Sequence, residues 1–563
     1  MIYSLFIIKY YTVVVFDKGE RTLNKQITKE ELSEIYGKIS PFELKDKLIS
    51  LAKRNNKRLL DAGRGNPNWT AATPRQAFFT FGQFAVKETQ ITWRKEDLAG
   101  MVQRDGIYKR FQGFISENPN LPGIDLLNEI IHYGINKLGF NEDQWVFELT
   151  DGIIGDNYPF PDRILIHIEK IVHDYLMKEL CGNKDFNTPF DVFSVEGGTA
   201  AMCYIFDSLV ANSLLNPGDK IALMTPIFTP YLEIPHLPHY KFDVINIHAN
   251  EIDTEGNPTW QYPIEELEKL KDKDIKVVFV VNPNNPASIA LSTECKNNLK
   301  DIVENHNPNL MIITDDVYCT FVDNFSSLIA DMPYNTLAVY SLSKYFGVTG
   351  WRLGAIMLNQ DNIFNKLIKK LPNETKNRLN ERYKHLSLKP ENLSFMDRMV
   401  ADSRQVALNH TAGLSTPQQV QMAFFCAFAL MDKEDNYKKL TKDICKNRKR
   451  LLFDGLEIEL RNQPHDAAYY TEINLLDLAK CKYGEDFSKY IEENYRPLDM
   501  IYKLANNYSI ILLNGDGFAS SEWSLRVSLA NLKDDSYFII GKSLKDMVDD
   551  LSYDWKNKLE LSM

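Results

Sequence analysis

From about residue 186 the chain alternates short, fully apolar runs with stretches of helical period. "DVFSV" leads into "EGGTAAMCYIFDSLVANSLL", a strand followed by a helix. "NPGDKIALMTPIF" reads as a turn and a strand, and "KFDVINI", "IKVVFVVNP", "LMIITDDVY", "TLAVYSLS" and "LGAIML" as further strands. "STECKNNLKDIVENH" has the period of a crossover helix between two of them. Strands that are apolar at every position, separated by helices, predict an α/β fold around a mainly parallel sheet.

The flanks read differently. Residues 76 to 165 predict several helices with no clean period, and Lys- and Glu-rich helical segments run from about 360 to 410. "TPQQVQMAFFCAFALM" opens a long helix, and the last 110 or so residues mix helices with strands such as "YSIILL" and "WSLRVSLA". The expected organisation is an N-terminal extension over 1–30 and a large domain over 76–429. A smaller α+β domain is expected from 31–75 together with 430–563. No internal repeat or low-complexity tract interrupts this plan.

Composition narrows the function classes. Lys plus Arg number 65 against 76 for Asp plus Glu, a formal charge of -11, which argues against a nucleic-acid binder. The seven cysteines are scattered and never form CxxC, as expected of reduced thiols in a cytoplasmic protein. Nothing in their spacing suggests a metal site. The opening "MIYSLFIIKYYTVVVFDKGE" is apolar but broken by Lys9, with no basic segment before it. It is too short for a bilayer span, so an added strand or an upstream extension is expected and no membrane association.

The strand ends carry the chemistry. "VVFVVNPNNP" ends near Asn285, "LMIITDD" in Asp315 with Tyr318 three residues on, and "AVYSLS" in Lys344; the intervals are 30 and 29 residues. That is about one strand–helix–strand unit, and in an open parallel sheet the carboxyl ends of strands converge on one crevice. An amine that forms a Schiff base, beside a carboxylate that keeps a ring nitrogen protonated, matches pyridoxal 5'-phosphate. Asn285 and Tyr318 would hydrogen-bond the ring oxygen. Gly197, Gly198 and Thr199 open a helix, where free N–H groups favour a phosphate. Arg352, Ser341 and Ser343 add contacts to it, and Phe228 in "TPIFTPY" could stack on the ring. Taken singly, these residues have plain structural readings as caps, turns and core; their joint order is the signal.

These residues resemble the class I aminotransferase family, fold type I of the pyridoxal-phosphate enzymes. "SLSKYFGVTGWRLG" fits the pattern SxSKxxxxxGxRxG, with Lys344 and Arg352 on its key positions, and "DDVY" supplies Asp315 and Tyr318. The family's N-P-T-G reads "NPAS" here, which keeps Asn285 and changes the loop after it. "LRVSLA" matches R-x-S-x-A, so the resemblance implies that Arg526 binds the substrate α-carboxylate.

"LDAGRGNPNW", "GDNYPFPDRIL" and "ISPFELKDKLISLA" are similar to the aspartate 4-decarboxylase branch of the family, which is bifunctional. That resemblance implies β-decarboxylation of L-aspartate to L-alanine and carbon dioxide, with side aspartate transamination to 2-oxo acids. It also implies insertions near 76–150 and 360–410, and a homodimer or larger homo-oligomer with sites at the interface. Tyr158, in "NYPFP", would then reach the phosphate of the neighbouring subunit's cofactor. Arg64, in "GRGNP", would lie near the β-carboxylate, with Gly63 and Gly65 permitting close backbone approach. Two alternatives stand beside this: an aspartate or broader aminotransferase without decarboxylation, and a non-catalytic cofactor-binding regulator. The regulator would need a basic winged-helix segment, which the first 60 residues do not show.

Overall fold

The structure, a computed structural model, describes residues 41–53, 58–404 and 413–562, with short strand segments between residues 10 and 28. Most of the expected N-terminal extension lies outside the described residues. Within it, Tyr10–Val13 pairs antiparallel with Lys25–Thr28.

Seven strands form the central sheet: β1 (Phe190–Val195), β2 (Lys220–Thr225), β3 (Asp243–His248), β4 (Ile275–Val281), β5 (Met311–Asp315), β6 (Thr336–Ser341) and β7 (Gly354–Asn359). Their order is β3-β2-β4-β5-β6-β7-β1. Neighbours are parallel except at β7, which runs antiparallel to both β6 and β1. The continuous apolar runs follow from burial on both faces. Along β4, Val277, Phe279 and Val281 join one core, which holds α1 (Gly198–Ala211). Val278 and Val280 join another, which holds α2 (Thr293–Asn305). The two-residue period of a strand sends alternate side chains to opposite cores. Each such buried side chain contributes about 1.5–3 kcal/mol before entropy is counted.

The segments flanking the sheet are helical. Ala72–Thr89, Ile124–His132 and Glu142–Ile154 pack their apolar faces against α3 (Thr416–Met431), and Ile107–Glu117 packs on Glu142–Ile154. Three further helices span Ile363–Lys370, Asn373–Tyr383 and Phe395–Asp402. The buried Asp402 ties them to α1, accepting hydrogen bonds from Ser208 Oγ (2.7 Å), Asn212 Nδ2 (3.0 Å) and Arg382 Nη2 (2.9 Å).

A separate core joins Leu44, Leu48 and Leu60 with residues of α4 (Asn436–Leu456) and α5 (Asp534–Ser562). It backs a small antiparallel sheet of order β8-β10-β9, where β8 is Tyr470–Asn474, β9 Leu513–Asn514 and β10 Ser524–Ser528. "YSIILL", expected as one strand, is divided. Ile510–Ile511 pairs in parallel with Leu60–Asp61, whereas Leu513–Asn514 pairs with β10. That first pairing anchors the chain just before Gly63–Gly65. Among the described residues no helix is long and apolar enough to cross a membrane, and all seven cysteines are free.

Candidate active site

One cavity opens at the carboxyl ends of the central strands. Asp315 ends β5, Ser341 ends β6, Asn285 follows β4, Phe228 follows β2, and Gly198 and Thr199 follow β1. All six line the cavity, with Gly65, Tyr318, Ser343, Lys344, Arg352 and Arg526. The small sheet closes it from the other side by way of Tyr470 and Arg526.

Asp315 is buried at the floor. Tyr231 Oη donates to its Oδ2 at 3.2 Å, and the Val317 N–H approaches Oδ1 at 3.3 Å. Burial pushes its carboxyl up to about 6, against the pull of those two donors and of Lys344. Lys344 Nζ donates to the carbonyl of Gly65 at 3.0 Å. Tyr318 and Tyr470 place their hydroxyls 3.0 Å apart, and burial raises the Tyr318 phenol well above its ordinary range.

Arg526 is 1 % exposed. Its Nη1 donates to Asn285 Oδ1 (3.1 Å) and its Nη2 to Gly63 O (2.7 Å). The guanidinium lies 4.3 Å from the ring centre of Tyr470 and 4.9 Å from that of Phe518, and its Nε has no hydrogen-bond partner. Glu472 lies across from this arginine in the β8–β10 register, its carboxyl pushed up to about 7 by burial against the pull of Ser520, Ser524 and Arg526. The guanidinium's two hydrogen bonds go to neutral oxygens, which leaves it capacity for a substrate anion.

The opposite end of the cavity suits an anion as well. Gly198 and Thr199 open the 14-residue helix α1, preceded by Gly197 at φ 91°. A Cβ at Gly197 would come within 2.8 Å of Arg352 Nη2, so only glycine allows that approach. Arg352 itself sits at φ 54°, a conformation costing about 1 kcal/mol, and its Nη1 donates to Thr349 O at 3.0 Å. The buried Ser341 and Ser343 hydroxyls lie 2.9 Å apart at the same end.

Three expected residues do not line the cavity: Gly197, which stands just before the helix start that does, Arg64 and Tyr158. Arg64 turns outward, 58 % exposed at its side chain, and pairs with Asp61 Oδ2 at 3.0 Å. Tyr158 is 68 % exposed on the surface. Sequence reasoning missed Tyr231 and Tyr470, together with Met202, Val281, Val317 and Thr349 in the lining. The aromatic pair in "AAYYTEINL" was the one available signal for Tyr470, and its facing partner depends on strand register.

Residues 194–538 match the family described as aminotransferase class I and II. The chain belongs to that family. It is 44% identical over 521 residues, 92% of this chain and 97% of the relative, to a Pseudomonas protein named bifunctional aspartate aminotransferase and L-aspartate beta-decarboxylase. An aspartate aminotransferase of Pyrococcus horikoshii is 32% identical over 152 residues, covering 26% of this chain and 37% of its own. Among solved structures, a Thermus thermophilus aspartate aminotransferase double mutant superposes with a TM-score of 0.56 at 16% identity, covering 91% of this chain and 96% of that one. A Saccharomyces cerevisiae aminotransferase matches as well, at TM-score 0.56 and 17% identity, over 93% and 100% of the two chains. The fold is thus that of the fold type I pyridoxal-phosphate enzymes.

Aminotransferases of this family work with pyridoxal 5'-phosphate, and the donor set here fits that group. A buried carboxyl with two long hydrogen bonds has room for a cationic N–H partner, which Asp315 provides. A primary amine stands beside it, and a helix start with two hydroxyls and a guanidinium suits a phosphate.

Proposed function

We propose that this aminotransferase-family chain catalyses β-decarboxylation of L-aspartate to L-alanine and carbon dioxide, with aspartate aminotransferase as a side activity. The observation that carries this reading is coverage. The relative named as a bifunctional decarboxylase aligns over 92% of the chain, whereas the Pyrococcus aspartate aminotransferase aligns over 26%.

In this reading Lys344 would hold the cofactor, and its amine is the group placed to move the substrate's Cα proton. Pyridoxal phosphate, when bound, supplies the electron sink for the pair left on the substrate. Asp315 keeps the ring nitrogen protonated, while Asn285 and Tyr318 donate to the ring oxygen and Phe228 covers the ring face. Gly197, Gly198, Thr199, Ser341, Ser343 and Arg352 cradle the phosphate. Arg526 grips the α-carboxylate with the face not engaged by Gly63 and Asn285. The β-carboxylate leaves as carbon dioxide, its electron pair stays on Cβ, and a proton replaces it there. Arg64 guards the β-carboxylate after releasing Asp61, and the adjacent Gly65 backbone brings its loop to the cavity. The working form is a homodimer or larger homo-oligomer in the cytoplasm, in which the exposed Tyr158 reaches a neighbouring subunit's site; the free cysteines fit a reducing compartment.

The test supplies purified protein with pyridoxal phosphate and L-aspartate and no amino acceptor. Sustained, stoichiometric release of carbon dioxide and alanine supports the decarboxylase. Little carbon dioxide, with glutamate formed once 2-oxoglutarate is added, replaces it with a plain aminotransferase.

A further inference from the structure

Tyr470 stands where the two halves of the cavity meet. It is 1 % exposed and lies on β8, while Tyr318 follows β5 of the central sheet. Its hydroxyl is 3.0 Å from that of Tyr318 and would collide, at 2.4 Å, with any Cβ on Gly65. Its ring lies 4.3 Å below the Arg526 guanidinium, on the strand paired with β10, which carries Arg526.

The neighbouring Tyr469 has a different task. Its hydroxyl donates to Gly65 O at 2.9 Å and its ring packs on Trp69 and Phe321. Tyr470 touches both Tyr318, expected to face the cofactor's ring oxygen, and Arg526, expected to face the substrate's carboxylate.

We propose that Tyr470 is a positioning residue for both: its hydroxyl aims the Tyr318 hydroxyl, and its ring holds the Arg526 guanidinium in plane. A phenol has one proton to donate. When Tyr318 gives its own to a ring oxygen, its oxygen is left to accept, and the Tyr470 hydroxyl is the donor within reach. Hydrogen bonds in such a chain polarise one another, so accepting from Tyr470 makes Tyr318 the better donor. At the other end, Arg526 has no partner on Nε and two bonds on its Nη atoms. The flat faces of Tyr470 and Phe518 then decide how it presents the rest. The charged and titratable groups facing this spot are Arg526, Lys344, Tyr318, Tyr469 and the buried Glu472, which lies across from Arg526 in the β8–β10 register.

The inference rests on the proposed roles of Tyr318 and Arg526, and two variants separate its parts. Tyr470→Phe keeps the ring and removes the hydroxyl; Tyr470→Leu removes both. On holoenzyme, the pH midpoint of the bound cofactor's visible absorbance reports the Tyr318 end, and the dissociation constant of succinate reports the Arg526 end. Tyr470→Phe is expected to raise the midpoint by about half a pH unit while succinate binding stays within about twofold. Tyr470→Leu is expected to raise the midpoint and to weaken succinate about tenfold. A wild-type midpoint in Tyr470→Phe, or undiminished succinate binding in Tyr470→Leu, overturns the proposal. Should wild-type enzyme not bind succinate at all, the substrate reading fails, and the midpoint of Tyr470→Phe still decides whether Tyr470 positions Tyr318.

Discussion

Lys344 Nζ donates a hydrogen bond of 3.0 Å to the carbonyl oxygen of Gly65. The bond joins the end of the central sheet to a loop that belongs, by its preceding strand, to the small sheet's side of the molecule. Gly63, two residues earlier, accepts from Arg526 Nη2, so one turn of backbone receives both cations. The loop therefore sets the separation between the expected cofactor-bearing amine and the expected carboxylate grip. Its carbonyls are dipoles that hold both in place without neutralising either.

That placement makes Gly65 intolerant of a side chain. A Cβ there would stand 2.4 Å from Tyr470 Oη and 3.2 Å from Lys344 Nζ. Gly65→Ala is expected to fold, since the clash is with side-chain ends, and to lose about a hundredfold in kcat for L-aspartate by displacing the amine. Wild-type kcat in the variant would show that the loop does not set the site.

Lys344→Ala removes the one amine among the cavity's lining residues. Its visible cofactor absorbance is expected to disappear, together with all turnover, while thermal unfolding shows a folded protein. Persistence of that band would refute the covalent assignment.

Arg526→Lys tests the fork. The guanidinium makes two hydrogen bonds and sits between two rings, geometry that an ammonium cannot reproduce. Losing a charged hydrogen bond costs about 1.5–3 kcal/mol, so KM for L-aspartate is expected to rise roughly tenfold to a hundredfold. An unchanged KM would place the α-carboxylate elsewhere.

The central sheet was legible because its strands are buried on both faces and hence apolar throughout, and because the chemistry sits at evenly spaced strand ends. Asp315, Lys344 and Asn285 could be read from intervals alone. Tyr470 could not, since its nearness to Arg526 is a matter of register between β8 and β10, where Tyr470 pairs with Ser528 and Glu472 with Arg526. Tyr231, given no role in the sequence reading, supports Asp315 from a helix start that no local pattern connects to β5. The division of "YSIILL" escaped for the same reason: one apolar run serves two pairings that lie far apart in sequence.

Arg64 is held by Asp61 in this structure, outside the cavity. If it swings to the β-carboxylate, Arg64→Ala changes the ratio of carbon dioxide to oxaloacetate formed from L-aspartate, by an expected threefold or more (about 0.7 kcal/mol between the two barriers). The bond to Asp61 is exposed and worth under about 1 kcal/mol, so fold stability should hardly move. An unchanged ratio removes Arg64 from the chemistry.

Asp316, next to Asp315, is fully buried and accepts from Ser327 Oγ (2.5 Å) and Thr314 Oγ1 (2.7 Å). Burial pushes its carboxyl up to about 7; Asp315 adds to the rise, while the two hydroxyls and Lys296 oppose it. The folded chain thus holds this proton more tightly than the unfolded one, whose carboxyl titrates near about 3.9. Below about pH 4 both states are protonated and the group costs nothing; as pH climbs toward 7 the folded state loses stability relative to the unfolded. Asparagine carries no such charge and can still accept a hydrogen bond. The melting temperature of Asp316→Asn minus that of wild type is therefore expected to increase from pH 4 to pH 7.5, by at most about 4 kcal/mol in stability. A difference that stays flat across that range would mean that Asp316 keeps an ordinary carboxyl, its two hydroxyl donors and Lys296 outweighing its burial.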